Sequence, residues 1–121
     1  MAGKSVARKD LPRVPPLSLD DAIATVEPRP AVYVLQAADQ SFLYKGSCRM
    51  LPERLMDHRA GRVSRTKNHR PLTLVYHEYA ADFTAARQRE NYLKTGAGRE
   101  FLTRYLECCQ ARVAERQTQQ T

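Results

Sequence analysis

The spacing of apolar residues along the chain changes between a helical period and the two-residue period of strands. Residues 18–26 begin with a serine and have two acids in the first turn, and their apolar side chains are three or four positions apart. This pattern predicts a short helix capped by Ser18. Residues 31–36 and 41–46 are rich in β-branched and aromatic side chains and flank four loop residues, which predicts a β-hairpin. If its turn is centred between Ala38 and Asp39, Tyr33 lies directly opposite Tyr44.

Helical spacing returns after the hairpin and then gives way to a third strand. A helix is predicted at residues 51–59, with Pro52 in its first turn and Gly61 as its stop. Residues 63–70 are predicted to form a polar, basic loop. The segment Leu72–Tyr79 is predicted to be a strand in which residues 72, 74, 76 and 78 alternate strictly against residues 73, 75, 77 and 79.

Two more helices complete the pattern. The first is predicted at residues 85–95, with Asp82 or Thr84 as its cap and Gly96 as its end. The second is predicted from about residue 99 to residue 113. A chain of 121 residues has room for one domain with a modest core. We therefore expect a disordered basic arm at residues 1–17, a single domain at residues 18–113 and a frayed tail at residues 114–121.

The net charge of +7 is concentrated in one stretch. Between Arg49 and Arg70, seven cationic and two acidic side chains supply most of the excess positive charge. Such clustering indicates a polyanionic partner, above all nucleic acid, and the alternative is a solvated basic loop that keeps the protein in solution. The candidate nucleic-acid contacts are Lys45, Arg59, Arg62, Arg65, Lys67 and Arg70.

Composition excludes several other classes of protein. No apolar run approaches the roughly 20 residues that a membrane-spanning helix needs, and no export leader is visible, so we expect no membrane partner. The three cysteines include the neighbours Cys108 and Cys109, and none of them has metal-ligand spacing with another. We therefore expect reduced thiols and a cytoplasmic location.

Five side chains could form one reactive site, although each also has a simpler explanation. Tyr33 and Tyr44 are either reactive phenols or an aromatic pair that stabilises the hairpin. Arg54 and His58 lie four residues apart on one side of a helix, where His58 is either functional or a partly buried structural histidine. Glu90 is either a metal ligand or half of a surface ion pair with Lys94, four residues later.

The ordered set of motifs around these residues resembles the GIY-YIG endonucleases, in particular their small stand-alone bacterial members. Ala31-Val32-Tyr33 stands in the place of Gly-Ile-Tyr, and Tyr44-Lys45-Gly46 in the place of Tyr-Ile-Gly. The arginine–histidine motif appears as Arg54-Leu-Met-Asp-His58, and the acidic helix motif as Arg89-Glu90-Asn91-Tyr92-Leu93-Lys94. The resemblance covers most of the chain, and two departures are Ala31 for glycine and Lys45 for isoleucine.

The resemblance implies an α+β fold, in the broad α/β class, with a small three-stranded sheet flanked by helices. It also implies metal-dependent hydrolysis of phosphodiester bonds, in which Glu90 supplies one carboxylate to Mg²⁺, or to Mn²⁺ in its place. A magnesium ion keeps several waters and takes its other ligands from substrate phosphate, so one carboxylate is enough. The permanently charged fork of Arg54 matches phosphate oxygens and is expected to clamp the developing charge.

The resemblance further assigns Tyr33 as the base that activates water, with Tyr44 positioning the water or the scissile phosphate. A free phenol has a pKa near 10, so Arg54 and Lys45 are expected to favour its ionised form. His58 is expected to accept the proton of Tyr33 or to hold the ring, and both hydroxyls are expected in a cleft that solvent reaches. The expected partner is nucleic acid, most of all DNA. The alternative function is a non-catalytic nucleic-acid-binding module of the same fold.

Overall fold

The computed structural model describes the backbone of residues 16–119 and the side chains of residues 16–108. The strands described are Leu17–Ser18 (β1), Ala31–Ala37 (β2), Leu43–Cys48 (β3) and Leu72–Tyr79 (β4). The helices are Leu19–Thr25 (α1), Leu51–Ala60 (α2), Ser64–Lys67 (α3), Phe83–Leu93 (α4) and Gly96–Gln119 (α5). None of these helices is both long enough and apolar enough to cross a membrane.

The strands form one antiparallel sheet in the order β1-β4-β2-β3, which confirms the predicted α+β class. The sheet has one strand more than predicted. In β1, Leu17 pairs with Leu74 and Ser18 with Thr73, and a two-residue strand is too short for alternation to reveal it. Ser18 is also the predicted cap of α1, since its hydroxyl accepts a hydrogen bond from the Asp21 amide at 3.2 Å.

The predicted hairpin is present, but its register differs by two residues from the prediction. Tyr33 pairs with Gly46, and Tyr44 pairs with Leu35. The four-residue loop after Ala37 sets this register, because the Ala37 amide donates to the Phe42 carbonyl at 3.0 Å. A shift of two residues keeps every side chain on its face. The two tyrosines therefore share a face as diagonal neighbours, and the predicted direct pairing is wrong.

A β-bulge at Val75 breaks the alternation that the sequence predicts for β4. Val34 pairs with Tyr76 while the next residue of β2, Leu35, pairs with Leu74, so Val75 is the extra residue. The side chains of β4 on the Tyr33 face are therefore even-numbered before the bulge and odd-numbered after it. Before the bulge, Leu72 and Leu74 lie on the face of Tyr33, and after it His77 and Tyr79 lie there, which corrects the predicted grouping.

Helices cover both faces of the sheet and divide the buried residues into two clusters. On one face, Tyr33 and Leu35 pack with Leu51 and Leu55 of α2 and with residues of α1. On the other face, Val32 and Val34 pack with Leu93 of α4 and Leu102 of α5. Because β2 lies between these two layers, six of its seven residues are buried. The strand that carries Tyr33 is thus held from both sides.

The helix ends agree with the sequence prediction at some positions and differ at others. Gly61 ends α2 in the left-handed region, with φ of 80°, and Asp82 caps α4 by accepting from the Ala85 amide at 2.8 Å, both as predicted. The predicted loop at residues 63–70 contains the one-turn helix α3. Gly96 opens α5 instead of ending α4, because the Thr95 hydroxyl caps a new helix there by accepting from the Gly98 amide.

The structure describes only part of the segments predicted at the two ends of the chain. Residues 1–15 of the predicted arm at 1–17 lie outside the described residues, and Leu17 already belongs to β1. The backbone of α5 is described to Gln119, past the predicted end of the last helix at residue 113. The division into arm, domain and tail stays a prediction.

Two leucines of the hairpin should differ sharply in their contribution to stability. Leu35 is fully buried and Leu43 is 41% exposed, although both lie in paired strands. We expect Leu35→Ala to lower the free energy of unfolding by about 2–5 kcal/mol through lost burial and a residual cavity. Leu43→Ala should change it by no more than about 0.5 kcal/mol. Urea denaturation measures both, and equal losses would contradict the two-layer core.

Candidate active site

Four of the five predicted reactive side chains meet on one face of the sheet. Tyr33 comes from the middle of β2, Tyr44 from β3, and Arg54 and His58 from successive turns of α2. The two phenol rings are 6.2 Å apart between centroids. The imidazole of His58 stands edge-on to both, at 5.5 Å from the Tyr33 ring and 5.1 Å from the Tyr44 ring.

Gly46 makes room for this arrangement. A Cβ atom at this position would lie 2.6 Å from both Cζ and the hydroxyl oxygen of Tyr33, and 2.9 Å from Cε2 of Tyr44. Contacts this short do not occur in folded proteins, so any other residue would displace one or both phenols. The glycine of the Tyr-Lys-Gly motif is therefore required by a close approach between a backbone and two rings.

A line of buried hydrogen bonds fixes His58. Its Nε2 lies 2.8 Å from the Tyr33 hydroxyl, and its Nδ1 lies 2.8 Å from Oγ1 of Thr66. The Thr66 hydroxyl donates to the Val63 carbonyl at 3.4 Å, so we assign the Nδ1–H as donor to Thr66. Nε2 is then an acceptor, and the Tyr33 hydroxyl donates to it. His58 and Thr66 are both fully buried.

Burial sets the protonation states in this line. Burial, and then the neighbouring charge of Arg54, lowers the pKa of His58 to about 4, so the imidazole is neutral at pH 7. Burial raises the pKa of the Tyr33 phenol above its ordinary value, against the hydrogen bond from Arg54, which lowers it. The resting proton therefore lies on Tyr33 and not on His58.

Two expectations about the phenols need correction. Tyr33 is fully buried and not in a cleft that solvent reaches, whereas Tyr44 is half-buried. Lys45 does not lie beside the phenols to favour ionisation, because successive side chains of a strand point to opposite faces and Lys45 follows Tyr44. Desolvation of Tyr33 outweighs the nearby positive charge of Arg54.

Arg54 lies at the open side of this group. Its Nε donates to the Tyr33 hydroxyl at 3.4 Å, and its Nη1 is 3.8 Å from the Asp57 carboxylate. That carboxylate makes a shorter contact, 2.8 Å, with Nε of Arg62. Since the Arg54 side chain is 37% exposed and only loosely paired, its guanidinium can bind an anion that approaches the two tyrosines.

Glu90 approaches β3 from the opposite face. It projects from α4, where one carboxylate oxygen accepts a hydrogen bond from the Ser47 hydroxyl at 2.5 Å and the other pairs with Lys94. Ser47 follows Gly46, so Glu90 and the tyrosines lie on two sides of the same edge strand. Among the residues that the structure describes, no three acidic, histidine or cysteine side chains form a group that could hold a metal.

The basic stretch is partly engaged in internal contacts. Arg59 pairs with Asp20 at 2.7 Å, and Arg62 pairs with Asp57. Arg70 donates from Nε to the Lys67 carbonyl and from Nη1 to the Arg59 carbonyl, next to Gly61. Arg65 and Lys67 are exposed, and the described side chains include no ion-pair partner for either. The structure thus leaves two of these predicted phosphate contacts unengaged.

Sequence reasoning missed two polar partners in this region. Thr66 lies in the segment predicted to be a loop, and only the fold shows that it reaches His58. Ser47 could have been found from strand alternation, which places it on the side of β3 opposite Tyr44 and Gly46. Of the two departures from the usual motifs, Ala31 is fully buried in the core beside Cys48, and Lys45 is half-buried on the face of Ser47.

The model of a family described as the GIY-YIG catalytic domain matches residues 29–101, more than half of the chain. Proteins named UPF0213 from Bacillus pumilus and Lactiplantibacillus plantarum are 44% and 42% identical over 64 and 65 residues. These alignments cover about half of the chain but only 64% and 63% of those two relatives. No solved structure matches the chain at a significant level.

A third relative is covered over more of its length. A UPF0213 protein of Staphylococcus haemolyticus is 37% identical over 65 residues, which is 53% of this chain and 78% of the relative. The matched family region contains all five predicted reactive side chains, from Tyr33 to Glu90.

Stability should fall in acid because of His58. The folded-state pKa of about 4 lies below the ordinary 6.5, so between these values the unfolded chain binds more protons and stability rises with pH. The contribution is present in full above pH 6.5 and is lost as pH falls toward 4, to a total of about 3 kcal/mol. Urea denaturation from pH 4 to 7 should show a shallower pH dependence for His58→Gln. Parallel curves for the two proteins would argue against a neutral, buried His58.

Proposed function

Because the chain belongs to the GIY-YIG catalytic-domain family, a family of nuclease domains, we propose that it is an endonuclease that hydrolyses phosphodiester bonds in DNA. The observation that carries this proposal is the buried line from Tyr33 through His58 to Thr66, with Arg54 at its open side. A hairpin that needed only two aromatic rings would require neither a neutral imidazole aligned with one phenol nor a loosely paired arginine beside it.

Arg54 would neutralise the scissile phosphate. A phosphodiester is anionic and repels nucleophiles, so positioned positive charge is the main requirement for its hydrolysis. Arg54 stays protonated at any pH of interest, and its fork can bind two phosphate oxygens. Because Nε of Arg54 contacts the Tyr33 hydroxyl, a phosphate bound by Arg54 would lie beside the phenols.

Tyr33 and His58 would together remove the proton of the attacking water. Tyr33 alone is a poor base, because its proton is retained at neutral pH. Its hydroxyl already donates to Nε2 of His58, so it can pass its proton there as it accepts one from water. The water oxygen would bond to phosphorus as the bond to the 3′ oxygen breaks, and the departing 3′ oxygen would take up a proton from solvent. Since Tyr33 is wholly buried, that water has to enter beside the half-buried Tyr44, which would position it.

Glu90 would hold the divalent cation. The Glu90 side chain is 17% exposed, and Mg²⁺ binds through hard oxygen ligands, often through one carboxylate while it keeps several waters. One carboxylate held by Ser47 therefore fits this ion, whereas a metal that needs several protein ligands would not fit the described residues. When bound, Mg²⁺ or Mn²⁺ would supply Lewis-acid stabilisation of charge on phosphate oxygens.

The first test compares two glutamates that both pair with a cation four residues later, Glu90 with Lys94 and Glu100 with Arg104. We expect Glu90→Gln to abolish cleavage of labelled DNA in Mg²⁺ while binding in EDTA is retained. Glu100→Gln should cleave like the parent. Undiminished cleavage by Glu90→Gln, or cleavage that persists in EDTA, would contradict the metal role. Binding without any cleavage by the parent protein would instead favour a non-catalytic binding module.

The second test removes single hydroxyls. Tyr33→Phe should slow cleavage by about 10²–10⁴-fold, the usual effect of a positioned acid–base group. It should also lower stability by about 1–3 kcal/mol, because Nε2 of His58 loses its only hydrogen-bond donor in the described structure. Tyr44→Phe should slow cleavage less and leave stability nearly unchanged.

Tyr92→Phe, at a tyrosine that is 37% exposed, is the matched control and should change neither quantity. Single-turnover rates, measured well below the unfolding temperature of each variant, separate chemistry from stability. A normal rate for Tyr33→Phe together with a large loss for Tyr44→Phe would exchange the two roles. Normal rates for both variants would make the phenols structural.

A further inference from the structure

A group of cations lies on the face of β3 opposite the tyrosines, and one of them, Lys94, pairs with Glu90. Lys45 and Ser47 are two residues apart on β3, so their side chains point to the same face. Ser47 donates to Glu90, and the second oxygen of that carboxylate pairs with Lys94 at the end of α4. Lys94 therefore contacts the carboxylate that Ser47 binds, and Lys45 lies on the same face of β3 as Ser47.

A close contact between two helices adds Arg99 to this group. The first turn of α5 lies directly against the last turn of α4, where a Cβ atom on Gly98 would come within 2.0 Å of the Tyr92 carbonyl oxygen. The Thr95 carbonyl accepts from the Arg99 amide at 2.9 Å, which closes the first turn of α5 directly after α4. Arg99 therefore lies in the first turn of α5, across the short connection that contains Lys94.

The three side chains carry more positive charge than their surroundings neutralise. Partial burial, and then the charges of Arg99 and Lys94, lowers the pKa of Lys45. Within the described part of the chain, neither Lys45 nor Arg99 has an ion-pair partner, and Glu90 contacts Lys94 alone among the three. By contrast, Arg59 and Arg62 in the basic stretch each face a carboxylate. An unbalanced group of cations is a site for an anion.

We propose that Lys45, Lys94 and Arg99, here termed the α4–α5 basic cluster, bind backbone phosphates next to the bond that is cut. This proposal rests on the proposed nuclease function and adds the path of the substrate. The DNA strand would pass Arg54 and the tyrosines, cross β3 at the edge of the described sheet and continue past Glu90 onto the cluster.

The test measures DNA binding without cleavage. Affinity of a fluorescent DNA oligonucleotide, single-stranded and duplex, is determined in EDTA over a range of salt concentrations. The test variant is Lys45→Gln/Arg99→Gln, which leaves the Glu90–Lys94 pair intact. The control, Arg29→Gln/Arg104→Gln, removes the same charge at two exposed arginines that already face glutamates. The charge-conserving variant is Lys45→Arg/Arg99→Lys.

Each phosphate contact contributes roughly 0.7–0.9 to the slope of log affinity against log salt. We expect the test variant to bind more weakly and to lose about 1.4–1.8 from the slope, whereas the control keeps the parent slope. The charge-conserving variant should restore most of the slope, because phosphates are contacted as charges. Lys94→Gln, measured separately, should lower the slope by about 0.7–0.9, the contribution of one phosphate contact.

The outcomes separate this proposal from the nuclease function. If the parent binds and cleaves DNA and the test variant keeps the parent slope, the cluster is not a phosphate site and the function stands. If the test and control variants lose slope equally, the effect is one of net charge and the proposal fails as well. If the parent neither binds nor cleaves DNA, both proposals are overturned.

Discussion

The hydrogen bond between the Tyr33 hydroxyl and Nε2 of His58 is the central link of a buried line that joins three parts of the chain. Tyr33 belongs to the central strand, His58 to α2, and the next link, Thr66, to the one-turn helix α3. Each group in this line is buried, so each must find its partner inside the protein. The positions of α2 and α3 on the sheet are therefore specified by polar contacts as well as by apolar packing. Gly46 completes this constraint from the neighbouring strand, because it alone leaves space for the phenol.

The elements that could be predicted from the sequence are those whose signal is local. Ser18, Gly61 and Asp82 act at helix ends as their residue types predict, since a cap or a left-handed turn involves only nearby backbone. The hairpin register was not predictable in this way, because the choice of closing pair in a four-residue loop depends on interactions across the loop. The prediction that Gly96 ends a helix is wrong for a physical reason. Glycine is typical of a helix end, but a second helix starts at this position.

The site shows the same division between local and tertiary information. Motif spacing identified the four side chains that the structure brings together, because two lie on one hairpin and two lie one helical turn apart. The sequence could not show that Tyr33 would be fully buried, that Thr66 would complete the line, or that Arg59, Arg62 and Arg70 would be engaged internally. Those facts depend on how α1, α2 and α3 pack, and a count of charges along a segment does not include that packing.

The bulge at Val75 determines which residues of the last strand belong to which layer. Without an extra residue there, the ladder that pairs Leu35 with Leu74 would continue to pair Tyr33 with Tyr76 in place of His77. Tyr76 would then enter the layer of the phenols, and Glu78, which now meets Arg89 beneath α4, would be turned away from its partner. One inserted position thus keeps the layer that contains the Tyr33–His58 hydrogen bond and the apolar layer that contains the Glu78–Arg89 ion pair on separate sides of the sheet. Along this strand the number of residues, and not only their identity, carries structural information.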